Sequence, residues 1–246
     1  MFTHIISFFI HNPYILAPLM GIIPALIWLF FWLKEDSHPE PLKLITLSFF
    51  AGQAIVFIAL PLQRLLYDNI STLTQDALFV SWAGIEEILK FAAAWIIGIH
   101  ASTDDEPVDA LMYMIIVALG FVSLENTLFL IDPLHTGDIL GSFVTGNLRF
   151  LGASLVHVLS SALVGISLGF AFYQPRKIKV LAGLVGVILA TTLHAYFNLF
   201  IIKQSECNLF LIFGFVWIGV IGLMLMFEKI KHIIPRPEKT PNISSE

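Results

Sequence analysis

Gly84-Ile85-Glu86-Glu87-Ile88-Leu89-Lys90-Phe91 lies in the middle of an apolar run over residues 77–100, and its reading decides the fold. The run is long enough to cross a bilayer as a helix, which takes about 20 residues. A charged side chain near the bilayer centre costs roughly 2.5–3.5 kcal/mol on insertion scales, so charges kept there mark a functional site by default. Two glutamates and a lysine within five residues describe either a buried catalytic cluster or an ion pair that neutralises itself.

Outward from this stretch the same pattern recurs. Phe121-x-x-x-Glu125-Asn126, Arg149 followed by His157, and His194-x-x-x-Asn198 each interrupt an apolar run. Composition agrees with a membrane protein: 57% of the 246 residues are hydrophobic and 13% charged, and the mean hydropathy is +0.87, where a soluble domain is about a quarter charged. Seven apolar runs, near 14–33, 42–61, 77–100, 109–131, 148–172, 179–202 and 209–228, predict an all-α fold, a polytopic integral membrane bundle of about seven transmembrane helices. Residues 1–228 read as a single transmembrane domain, with no internal repeat. Residues 229–246, rich in proline and basic residues, read as a disordered cytoplasmic tail. The first run reads as a retained span and not a cleavable signal, because residues 1–13 hold no Lys or Arg and no small-residue cleavage site follows. The net charge of -5 is unclustered, which argues against nucleic acid as a partner. Cys207, the only cysteine, excludes an intrachain disulfide and a thiolate metal site; it reads as a small apolar residue near a helix end.

Lys and Arg in the connectors set the orientation. Lys34, Lys43, Arg176, Lys177, Lys179, Lys229, Lys231, Arg236 and Lys239 collect on one side, and only Arg64 and Lys203 on the other. That bias predicts an outside N-terminus and a cytoplasmic C-terminus. At 1.5 Å per residue, Glu86, Glu125, His157 and His194 then lie ~14, ~9, ~15 and ~12 Å below the outer face. Four helices running in alternate directions deliver their polar groups to one layer. Glu86 with Lys90, Phe121 with Glu125, and His194 with Asn198 are each i,i+4, on one helix face.

A carboxylate in such a layer can act as general base to a water molecule, while His and Asn donate hydrogen bonds to an oxyanion on a peptide carbonyl. Alternatively Glu125, His157 and His194 could hold a zinc that activates the water; the metal is left open at this point. Both routes hydrolyse an amide bond. Taken singly each piece has a plainer reading: a self-neutralising Glu86–Lys90 pair, packing histidines, Asn126 and Asn198 as interhelical hydrogen-bond glue, and Ser161 with Gly165-x-x-x-Gly169 as a close-packing face. Arg149 reads either as a site residue or as a side chain reaching lipid phosphates. Two other function classes stay open, a proton-coupled membrane transporter using the Glu/Lys/His cluster and a non-catalytic scaffold. The transporter lacks its usual paired broken helices and repeats. No His-Glu-x-x-His or Gly-x-Ser-x-Gly occurs, and no Asp lies deep in a span; Asp109 sits at the cytoplasmic end of the fourth.

In order, Glu86-Glu87-x-x-Lys90, Asp109 with Glu125-Asn126, Arg149 to His157, and His194-x-x-x-Asn198 resemble the PrsW family of intramembrane proteases, distantly similar to the CAAX prenyl endopeptidase superfamily. The resemblance covers about residues 40–202. It implies a site-1-type protease of the bacterial inner membrane that cuts membrane-anchored proteins, such as an anti-sigma factor, near the extracytoplasmic face. It also implies catalytic roles for Glu86, Glu87, Lys90, Glu125, Asn126, His157, His194 and Asn198, with Asp109 and Arg149 supporting. Ala110 stands where the family usually has Gly, a change that touches packing more than chemistry. The family is often labelled metallopeptidase, while its CAAX-type relatives are glutamate-dependent.

Overall fold

Residues 109–135 are apolar on every side apart from Asp109 at the start and a few polar groups near the far end. A helix apolar all round has no face to give to water and belongs inside a bundle. The computed structural model describes residues 12–70, 72–100, 105–203 and 209–234. Its helices are α1 (Pro13–Glu35), α2 (Leu42–Asn69), α3 (Gln75–Ala94), α4 (Asp109–His135), α5 (Ile139–Leu148), α6 (Ser154–Phe170), α7 (Arg176–Lys203) and α8 (Leu209–Lys231). A π-helical turn, Trp95–Ile99, extends α3, and a second, Arg149–Ala153, joins α5 to α6. Cys207, residues 1–11 of the N-terminal reading and residues 235–246 of the expected tail lie outside the described residues.

Helix α4 is the axis of the molecule, with α1, α2 and α6 packed around it. Glycines set how closely its neighbours come. A Cβ at Gly52 of α2 would meet the Val117 carbonyl, one at Gly120 of α4 would meet the Phe49 carbonyl, and one at Gly165 of α6 would meet the Leu111 backbone. Gly165, singled out in the sequence as a packing residue, has that contact. Close backbone approach of this kind is how helices gain dispersion contacts in lipid, where hydrophobic burial offers little. Helix α7 packs on α3 and α6, closing the second side of the bundle.

Helix starts follow local chemistry. Thr74 Oγ1 accepts the Ala77 N–H at 3.2 Å and caps α3. Asp138 Oδ1 accepts the Gly141 N–H at 2.9 Å and caps α5, directly after Gly137, whose φ of 81° turns the chain. Pro18 and Pro24 in α1, Pro61 in α2 and Pro133 in α4 lie inside helices, as membrane helices tolerate when neighbours satisfy the freed carbonyls.

The protein is an all-α, membrane-spanning helical bundle. Among the described residues four helices are long and apolar enough to cross a membrane: Tyr14–Glu35, Leu42–Asn69, Asp109–His135 and Arg176–Phe200. Helix α6 is apolar but shorter. Element ends differ from the sequence reading at several places, α4 running on to His135 and α7 starting at Arg176 among them. Helix α2 runs on to Asn69, the fifth expected run is preceded by the capped helix α5, and α8 continues to Lys231 with Ile230 fully buried.

Candidate active site

Glu86 and Glu87 are neighbours in sequence and point about 100° apart on α3, so they meet different surroundings. Glu87 is fully buried and accepts from four donors. These are Lys90 Nζ at 2.8 Å, Ser160 Oγ at 3.0 Å, Ser161 Oγ at 2.8 Å and His194 Nδ1 at 2.9 Å. Glu86 accepts only from Gln63 Nε2, at 2.9 Å on Oε1. Its Oε2 is buried and accepts no hydrogen bond from the described residues. That oxygen stands 3.7 Å from His194 Nε2, 3.8 Å from His157 Nδ1 and 3.7 Å from Lys90 Nζ. The i,i+4 spacing pointed to a Glu86–Lys90 pair. That ion pair is present at 3.7 Å, but the lysine's hydrogen bond goes to Glu87 at i,i+3, because that carboxylate faces inward with it while Glu86 faces a cavity.

Proton positions follow from the partners. An ionised carboxylate only accepts and an ammonium only donates. His194 therefore gives its Nδ1–H to Glu87 and turns Nε2 toward Glu86. His157 Nδ1 accepts from Lys90 Nζ at 2.8 Å, so its Nε2–H donates to Glu125 Oε2 at 3.2 Å. The two imidazoles pack edge to face with centroids 4.7 Å apart. Phe121, the aromatic of the Phe121-x-x-x-Glu125 motif, lies 5.5 Å from the His157 ring and 4.5 Å under Lys90 Nζ. A cation over a ring face is stabilised by the ring quadrupole, more so when desolvated.

Arg149 completes the second half of the site. Its Nη2 donates to Glu125 Oε2 at 2.7 Å and its Nε to Asn126 Oδ1 at 2.5 Å. Its guanidinium lies 3.9 Å from the Phe129 ring centre, and Asn126 Nδ2 donates on to Ser154 Oγ. Arg149 and His157 both reach Glu125 although eight residues separate them. Two turns of a regular α-helix take about seven residues; the π-helical turn at Arg149–Ala153 adds the extra one and brings both to one face. Such turns recur at functional sites.

A cavity of about 890 Å³ opens onto Glu86, Glu125, Arg149, His157, His194 and Asn198, with Tyr67, Phe79, Trp82 and Phe129 among its walls. Every motif expected from the sequence thus contributes a residue to this region. Asp109 does not: its Oδ2 accepts the backbone N–H groups of Asp105 and Glu106 at the far end of α4, ~24 Å along the helix from Glu125. Gln63, Ser160 and Ser161 belong to the site and lie outside the motifs singled out in the sequence as catalytic. Ser160 and Ser161 share the His157 face at i+3 and i+4, a usable signal. Gln63 has none, because it arrives from α2.

Glu86, His157 and His194 offer ligand atoms within 4.8 Å of one another. Tetrahedral zinc with bonds of roughly 2.0–2.2 Å spaces its ligand atoms about 3.3–3.5 Å apart, close to the 3.7 and 3.8 Å measured from Glu86 Oε2 to the two imidazoles. The unpartnered Glu86 Oε2 and the His194 Nε2 beside it fit a cation; His157 Nδ1 would have to exchange Lys90 for it. The ligand set expected from sequence had Glu125 in place of Glu86. Glu125 is neutralised by Arg149 and takes an N–H from His157, so the metal-capable group contains Glu86 instead.

Buried carboxylates, imidazoles and an ammonium gathered around a cavity inside an all-α membrane bundle define a polytopic intramembrane enzyme. Residues 40–226 match the family model described as PrsW family intramembrane metalloprotease. The chain is 28% identical over 205 residues to Protease PrsW of Bacillus subtilis (strain 168), covering 82% of this chain and 90% of that one. It is 24% identical over 233 residues to Protease PrsW of Geobacillus kaustophilus (strain HTA426), covering 92% and 96%. With Protease PrsW of Oceanobacillus iheyensis the identity is 29% over 213 residues, covering 82% and 91%. No solved structure matches the chain significantly. The chain belongs to the PrsW family: it is an integral membrane protein and an intramembrane protease acting on membrane-anchored protein substrates.

Proposed function

We propose that this protease makes a site-1-type cut in single-pass membrane-anchored proteins, an anti-sigma factor being one such substrate, on the extracytoplasmic side of the bacterial inner membrane. In this reading seven helices span the bilayer, the N-terminus is outside, and the C-terminus with its tail is cytoplasmic. The bias of basic residues to one set of connectors supports the orientation.

The observation that carries the catalytic reading is Glu86 Oε2, a buried carboxylate oxygen with no hydrogen bond among the described residues, beside two imidazoles and open to a cavity large enough for an unwound peptide segment. Buried polar atoms are nearly always satisfied, so this atom is kept for water, substrate or a cation. Glu86 takes the proton of the attacking water. Glu87 and Lys90 fix the rings of His194 and His157. Glu125, held by Arg149, whose Nε donates to Asn126, orients His157 from its other side. Asn198, one turn beyond His194 and lining the same cavity, supplies a side-chain amide to the oxyanion of the tetrahedral intermediate. On the alternative metal route, zinc held by Glu86, His157 and His194 would supply a Lewis acid that polarises the carbonyl and acidifies water, with Glu86 then a ligand and not the base.

Co-expression of the full chain with a single-pass reporter carrying an extracytoplasmic epitope tests this. Wild-type cells should shed the epitope and Glu86→Gln cells should retain it in the membrane at equal enzyme levels. Shedding by Glu86→Gln at the wild-type rate would overturn the assignment.

A further inference from the structure

Glu86 needs one oxygen free and pointing at the histidines, and nothing on its own helix enforces that. A carboxylate turns readily about its last bond, and Lys90 at 3.7 Å is too far to hold it by a hydrogen bond. The restraint comes from α2. Gln63 Nε2 donates to Glu86 Oε1 at 2.9 Å, which leaves Oε2 as the oxygen between His157 and His194. The backbone that carries Gln63 is itself anchored, since Trp82 Nε1 of α3 donates to the Gln63 main-chain carbonyl at 3.2 Å. That second bond ties the two helices together one turn away from the first.

We infer that Gln63 is a positioning residue for Glu86: a neutral amide that holds one carboxylate oxygen by a hydrogen bond and so presents the other to the reacting water. The choice of residue is chemically specific. A lysine or arginine here would add a second cation beside Glu86 and cancel the negative charge that makes it basic. A glutamate would repel it. An amide holds the orientation and leaves the charge unchanged. The inference rests on the assignment of Glu86 in the proposed function. It adds α2, a wall of the cavity, to the groups that set its reactivity.

The test uses the full-length chain purified in detergent, as wild type, Gln63→Leu and Gln63→Asn, with Glu86→Gln for reference. Partners that orient an active group typically contribute 10–100-fold. Gln63→Leu should lower kcat by that factor with KM within about two-fold and the unfolding temperature unchanged. Gln63→Asn, one methylene short of Glu86, should fall with it. The second readout is the Glu86 carboxylate stretch, isolated as the infrared difference between wild type and Glu86→Gln; it should shift in Gln63→Leu as one hydrogen bond is lost. A change in KM alone would make Gln63 a substrate contact. An unchanged kcat with an unshifted band would remove any role. A lowered unfolding temperature with normal kcat per folded molecule would make it structural. Any of these three overturns the inference. Failure of the wild type to cut the reporter would instead strike the proteolytic reading, while the band shift would still decide whether Gln63 holds Glu86.

Discussion

Exchanging each of two adjacent glutamates for glutamine should lower activity in both cases but stability in only one. Glu87 is fully buried and accepts four hydrogen bonds of 2.8–3.0 Å, one of them from Lys90, which is also fully buried. Glutamine offers one acceptor oxygen to those four donors and turns an NH2 toward the rest. Removing one partner of a buried ion pair costs about 3–5 kcal/mol, because the remaining charge is left uncompensated. Glu87→Gln should therefore lose several kcal/mol of stability and its activity together. Among the described residues Glu86 has only Gln63 as hydrogen-bond partner, and a glutamine there can still accept from it. Glu86→Gln should change stability by less than about 1.5 kcal/mol, the scale of one neutral hydrogen bond. It should nonetheless lower cleavage by roughly 10²–10⁴, the usual contribution of a general base. Thermal unfolding in detergent, followed by intrinsic tryptophan fluorescence, and cleavage of the tagged reporter measure both. A Glu87→Gln protein as stable as wild type, or a Glu86→Gln protein destabilised by as much as Glu87→Gln, would refute the division of labour.

Asn198→Ala should lower cleavage by about 10²–10³, the cost of one oxyanion donor, with little effect on stability; near-normal cleavage would remove Asn198 from the mechanism. Metal content and chelator sensitivity on one purified sample address the cation: about one zinc per chain, with activity lost on chelation and restored by zinc, is the metalloprotease outcome, and metal-free enzyme at full activity is the glutamate outcome. Alkaline phosphatase fused after Gly137 should be active and after Lys177 inactive, and the reverse pattern would place the cavity on the cytoplasmic side. Gly120→Val should fail to accumulate as folded protein, because a side chain there meets the Phe49 backbone of α2; normal yield would show that α2 and α4 can separate without loss.

Composition and run length alone fixed the class of fold, because a bilayer demands about 20 apolar residues per helix and satisfied backbone groups within each span. The motif spacings also marked most of the polar residues that meet at the cavity, since few reasons other than function keep charges in hydrocarbon. Pairing within the site was not legible. Whether Lys90 serves Glu86 or Glu87 depends on which side of α3 faces α6 and α7, and neighbours on a helix point about 100° apart. Arg149 and His157 look out of phase until a π-helical turn supplies the missing rotation. Gln63, Ser160 and Ser161 join only through contacts between residues 23, 73 and 74 positions apart in the chain. The sequence by itself determined a helical membrane protein and the list of chemical groups its interior must hold, because lipid filters residues one helix at a time. Only the packing of α2, α3, α6 and α7 decided that Glu87 is consumed by four donors and Glu86 left one oxygen free, since hydrogen-bond partners on different helices are set by the faces those helices share.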